Sequence, residues 1–235
     1  MTDRTVDISQ RKAAKVTGLG LLIMTIFYIV AELFIFQNLI VHGNAAATTN
    51  NIMANELLFR TGICFFLIVI VCDVVVAWAL YVFFKPVNQS LSLLTAWFRL
   101  VYSIIFGIAL INYFNIFQFL SGSDYLEVIE QAHHHAQVML SINSFNDGWA
   151  VGFVFFGLHL ILLGYLGFKS GYIPKTLGTL LVIAGIGYLV YNFGKFLFPD
   201  YDSIIATSAG WGELIFAFWL LFKGGKKSLT IADKE

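Results

Sequence analysis

Six stretches of the chain, near residues 16 to 41, 57 to 84, 91 to 120, 146 to 168, 174 to 197 and 204 to 223, are long and apolar enough to cross a bilayer. A helix rises about 1.5 Å per residue, so about 20 apolar residues span the ~30 Å of hydrocarbon. The runs are continuous and lack period-two alternation. Backbone groups in lipid must also find their partners inside the segment, and both points select helices over a β-barrel. With 59% of residues hydrophobic and 12% charged, the chain has too few polar side chains to clothe a water-soluble domain, where about 25% charged is usual. The expected fold is all-α and polytopic: six transmembrane helices in one bundle, a single domain over residues 1–235. Short cytoplasmic segments at 1–15 and 224–235 flank it.

Orientation follows from the cations, because short translocated loops lose Lys and Arg while cytoplasmic ones keep them. Of fourteen such residues, Arg60, Arg99 and Lys195 lie within spans. All the others, Arg4, Arg11, Lys12, Lys15, Lys85, Lys169, Lys175, Lys223, Lys226, Lys227 and Lys234, fall on one side. The opposite connections, 42 to 56, 121 to 145 and 198 to 203, carry none, but hold Asp124, Glu127, Glu130, Asp200 and Asp202. Both termini are therefore expected in the cytoplasm, in a multi-pass membrane protein. The net charge of zero conceals this segregation, and no basic face suited to nucleic acid remains. Ala45-Ala46-Ala47 resembles a signal-peptidase site, but the preceding apolar run of about 26 residues far exceeds the 7–15 of a signal peptide, so an uncleaved anchor is expected. Cys64 and Cys72 lie about 12 Å apart along one expected helix and cannot bridge.

The connection 42 to 56 reads as a small, polar surface loop. The one from 121 to 145 is different. Ser123 or Asp124 can cap a short amphipathic helix with apolar positions Leu126, Ile129, Ala132, Ala136 and Leu140, lying on the outer surface between spans three and four as a lid. His133, His134 and His135 are expected on its solvated face. Adjacent helical residues point about 100° apart, so the three cannot grip one ion, and no metal or other cofactor is expected.

Function in such a chain should live at its intramembrane charges, each costing about 2.5 kcal/mol or more at bilayer depth. By residue count from the span ends, Glu32, Arg60, Lys195 and Glu213 form an outer polar layer, while Asp73, Arg99 and His159 form an inner one. Gly157, Gly164, Gly178, Gly185, Gly187, Gly210 and Gly212 would let helices approach closely. GxSxG, HExxH, Walker and Rossmann patterns are absent from the sequence.

Four strings carry a family likeness: LLFRTGI at 57 to 63, AWFRLVYSI at 96 to 104, FFGLHLILLGYLGFKSGYIPKTLGTLLVIAGIGYLV at 155 to 190, and GELIFAFWLLFKG at 212 to 224. Over residues 11 to 225 the chain resembles the bacterial membrane family catalogued as domain of unknown function 4386. That resemblance implies a polytopic inner-membrane protein and marks Phe98, Arg99 and Glu213 as family features. It implies no activity. Many relatives carry an acid shortly after the third-span Phe-Arg pair, where this chain has Tyr102. Pairing that pins the helices together is the plainest expectation for both layers; the working reading of a site is an amphipathic or lipid-like ligand held in an outward pocket by Glu32, Arg60, Lys195 and Glu213, with Trp149 meeting its apolar part. Membrane lipids are the expected surroundings. A proton or small-solute carrier, and an enzyme using Asp73 with His159 as acid and base, are the alternatives.

Overall fold

The computed structural model describes residues 9–120, 131–198 and 205–224, and omits the side chains of 131–133 and 205–211. Every element in them is a helix. The first rod is α1 (Gln10–Ile29), a π-helical stretch (Val30–Phe36) and a last turn, α2 (Gln37–Leu39). Then follow α3 (Ala45–Ala54), α4 (Glu56–Phe84), α5 (Gln89–Leu120), α6 (Gln131–Ser170), α7 (Lys175–Leu197) and α8 (Ile205–Lys223). Among the described residues five helices are long and apolar enough to cross a membrane: Gln10–Leu39, Glu56–Phe84, Gln89–Leu120, His134–Ser170 and Lys175–Leu197.

Helical spacing sets what each rod buries. On α5 the buried positions Ser92, Thr95, Ala96, Arg99, Tyr102, Ser103 and Phe106 recur every three or four residues, while Trp97, Ile104, Ile108 and Ile111 are exposed. On α7, Ile183, Ile186, Val190, Phe193 and Leu197 make a similar exposed apolar row. In the most apolar 18-residue window of each spanning helix only 28% to 50% of residues are buried. Water would penalise such faces, and hydrocarbon does not.

Contacts divide the chain into two compact units. The first comprises Met1–Ile23, Cys72–Tyr102 and Phe153–Glu235. Within it α6 and α7 touch backbone to backbone. A Cβ on Gly164 would stand 2.6 Å from the Gly178 carbonyl oxygen, and one on Gly185 would stand 2.5 Å from that of Gly157. Gly18 of α1 lies against Ala217 and Leu221 of α8. The start of α1 is tied in by Gln10, whose Nε2 donates to the Phe83 carbonyl at 2.9 Å and to the Tyr172 hydroxyl at 2.8 Å. Burial pushes the Tyr172 phenol above its ordinary pKa, with the Gln10 hydrogen bond opposing the shift.

The second unit comprises Met24–Val71 and Ser103–Gly152 and is built on aromatic rings. Phe36, Phe59, Phe66, Phe106, Tyr113 and Phe145 are buried together, and Trp149 stacks on Phe106 with centroids 4.9 Å apart. Two sequence expectations change here. The connection 42 to 56 is no plain loop: the Asn44 side chain caps α3 by accepting from the Ala47 amide, and Thr48 hydrogen-bonds both amide and carbonyl of Val41, burying Thr48, Thr49 and Ile52. Residues 131 to 145, expected in a separate lid, instead open the 40-residue α6, which continues unbroken to Ser170. His134 lies on that helix, half-buried, with Nδ1 at 3.1 Å from the Phe119 carbonyl oxygen, where a solvated face was expected. The expected cap at Ser123 or Asp124, Leu126 and Ile129 lie outside the described residues, as does the side chain of His133.

Candidate functional site

Within the first unit four helices each place one ionisable side chain beside the next: Asp73 from α4, Arg99 from α5, His159 from α6 and Glu213 from α8. Asp73, Arg99 and His159 are fully buried, and the Glu213 side chain is 20% exposed. Arg99 is the hub. Its Nε and one terminal nitrogen both donate to Oδ1 of Asp73, at 2.8 and 2.7 Å. Its other terminal nitrogen donates to Oε1 of Glu213 at 3.0 Å and lies 3.2 Å from Nε2 of His159.

The histidine's tautomer follows from its second neighbour. Nδ1 lies 2.8 Å from the Thr95 carbonyl oxygen, which can only accept, so Nδ1 carries the proton and donates. Nε2 then presents a lone pair, which is what an arginine N–H requires. His159 is thus neutral and orients the guanidinium. Phe156 completes the wall, its ring centroid 5.4 Å from the centre of the guanidinium, and Tyr102 and Tyr188 pack on Phe156.

Two features set this cluster apart from an ordinary salt bridge. An arginine fork can meet both carboxylate oxygens, yet here both of its donors to Asp73 converge on Oδ1, and Oδ2 is buried without a hydrogen-bond partner among the described residues. The formal charges also do not cancel: one guanidinium faces two carboxyl groups.

The structure regroups the residues singled out from sequence. Asp73, Arg99 and His159 meet directly. Glu213, expected in the outer layer, joins them instead, because its carboxylate is held by Arg99. Arg60 of the second unit is half exposed and paired with Glu56 one turn away at 2.6 Å, its guanidinium 3.8 Å over the Phe117 ring. Trp149 is packed among rings. Glu32 is half-buried on the π-helical stretch, and Lys195 is half-buried near the end of α7. The acid and base pairing of Asp73 with His159 is not formed: one ring nitrogen faces Thr95 and the other faces Arg99. Thr95, whose carbonyl fixes the histidine, carried no sequence signal beyond lying one turn before Arg99. Among the described residues no cluster of three or more His, Cys, Asp or Glu is placed to hold a metal ion.

Described residues that are helical throughout, with five helices fit for a bilayer among them and an arginine-centred ionic cluster, define a membrane protein of the polytopic class. It belongs to the family described as "Domain of unknown function (DUF4386)", whose model matches residues 16–224. An uncharacterized protein of Archaeoglobus fulgidus is 36% identical over 165 residues, covering 70% of this chain and 85% of its own length. No solved structure matches the chain.

Proposed function

We propose that the protein is a six-span carrier of the cytoplasmic membrane that moves protons, alone or with a small solute, by way of the Arg99 cluster. In this reading α8, 19 residues long, is the sixth span, both termini face the cytoplasm, and residues 121–130 lie on the outer side. One observation carries it: four helices converge their ionisable groups on one buried arginine, in a place where each charge is costly to maintain. A structural clamp needs only balanced pairs, whereas this cluster has one carboxyl group too many.

The test is flux. Wild-type protein in liposomes, with a potassium diffusion potential and a trapped pH dye, should pass protons faster than empty vesicles, and Glu213→Gln should lower the excess rate about tenfold or more, the scale of 1.4 kcal/mol. Wild-type flux equal to that of empty vesicles overturns the reading.

Binding of an amphipathic ligand by Glu32, Arg60 and Trp149 of the second unit is the second reading, favoured by the half-exposed Arg60. An anionic head group would have to compete there with Glu56. Delipidated protein should then regain thermal stability with one lipid class, and Arg60→Ala should abolish the gain.

A further inference from the structure

We propose that Asp73 and Glu213 hold one exchangeable proton between them, seated on Oδ2 of Asp73, so that the loaded cluster is electrically neutral. The proposal rests on the carrier reading for its purpose, but not for its test.

Asp73 is fully buried, Oδ1 receives both nearby arginine donors, and Oδ2 meets no donor among the described residues. A bare carboxylate oxygen in that position is a buried acceptor without a hydrogen bond, beside a second carboxyl group that shares the same guanidinium. A proton on it removes the charge and leaves the Oδ1 contacts intact.

The neighbours point to a proton and not a metal ion. The titratable and charged groups facing Asp73 are Arg99 from α5, Glu213 from α8 and His159 from α6, with Cys72 adjacent on α4; Tyr102 and Tyr188 stand behind Phe156. Residues 16–27 of α1 and 176–187 of α7 include no titratable side chain. Among the described residues a metal ion at Oδ2 would find one bare oxygen and a guanidinium repelling it. His159 is not the seat, since its lone N–H is given to Thr95 and its lone pair faces Arg99. Glu213 is the member in reach of the surroundings. Loading forms one O–H bond with a proton taken from water, and release returns that proton.

Charge parity supplies the test. Full-length protein in nanodiscs at neutral pH is read by infrared difference spectroscopy for the C=O stretch of a protonated carboxyl group. The expected result is one such band in the wild type, shifted by carbon-13 aspartate and not by carbon-13 glutamate. It should vanish in Asp73→Asn and also in Glu213→Gln, because with one carboxylate left the arginine already balances the charge. Absence of the band in the wild type overturns the proposal, as does its survival in Glu213→Gln or its loss when a choline chloride buffer is exchanged for a sodium chloride one. Isotope labelling of the wild type decides the seat even if a variant fails to fold. A band present without any liposome flux would leave the proton site standing and remove the carrier reading alone.

Discussion

Arg99 satisfies three partners at once, so its removal should be felt more than that of any partner. Arg99→Met leaves two carboxyl groups and a histidine lone pair without their donor, and breaking a buried pair in this way costs about 3–5 kcal/mol. His159→Leu strands one guanidinium N–H and takes the second donor from the Thr95 carbonyl, a loss of about 1–3 kcal/mol. Adding Asp73→Asn and Glu213→Gln to Arg99→Met should recover most of the stability, since no charge then remains uncompensated. Reversible unfolding in mixed detergent measures all three, and an Arg99→Met protein as stable as wild type would show that the cluster does not bind the helices together. The sequence already held most of this site. Asp73 lies eleven residues before the end of α4, His159 eleven before the end of α6, Arg99 ten after the start of α5, and Glu213 ten before the end of α8. All four are therefore at one level, about 15 Å along their helices. Glu213 is misread only when its depth is taken from the other end of a short span, where the two counts nearly agree. The bare Oδ2 is another matter: it depends on the rotamers of two side chains, which no spacing encodes.

Among the elements, α6 and α7 are held by what their glycines lack. Ala at Gly185 would press its Cβ on the Gly157 carbonyl, and Ala at Gly164 on that of Gly178, and backbone cannot swing aside as a side chain can. Each change should cost about 1–3 kcal/mol as overpacking. Gly107→Ala, whose new Cβ meets only Ile70 at 3.9 Å, should be neutral or gain up to about 1 kcal/mol from helix propensity. Melting of the three variants in one detergent separates the cases, and a Gly185→Ala protein melting with Gly107→Ala would refute the close packing. These glycines were legible because few residues other than Gly permit such approach in apolar helices. The α3 helix was not, since AAATTNNIMA has no amphipathic period and its burial depends on Thr48 folding back to Val41. The length of α6 was obscured for a similar reason: polar residues such as His134, Gln137 and Asn143 mark a change of surroundings, not the end of the helix.

For the whole chain, charge and exposure bear on separate questions. The exposed apolar rows require hydrocarbon around the spans but say nothing about which end faces inward. Direction rests on Lys85, Lys169 and Lys175 in the short connections, since a short loop carrying Lys resists translocation while one such as 42 to 56 does not. If six spans and cytoplasmic termini are right, single cysteines introduced by Lys85→Cys and Gly171→Cys, in a chain with Cys64 and Cys72 replaced by Ser, should react with an impermeant maleimide only in inside-out vesicles. Asn50→Cys, on an exposed position of α3, should react only in right-side-out ones. All three positions are exposed, so the contrast reports sidedness and not burial. The reversed pattern would invert the topology while leaving the Arg99 cluster intact. Labelling of Lys85→Cys and Asn50→Cys from the same side would mean that α4 does not cross, and a helix that stops short would bring Asp73 out to water, where a carboxylate needs neither an arginine nor a proton.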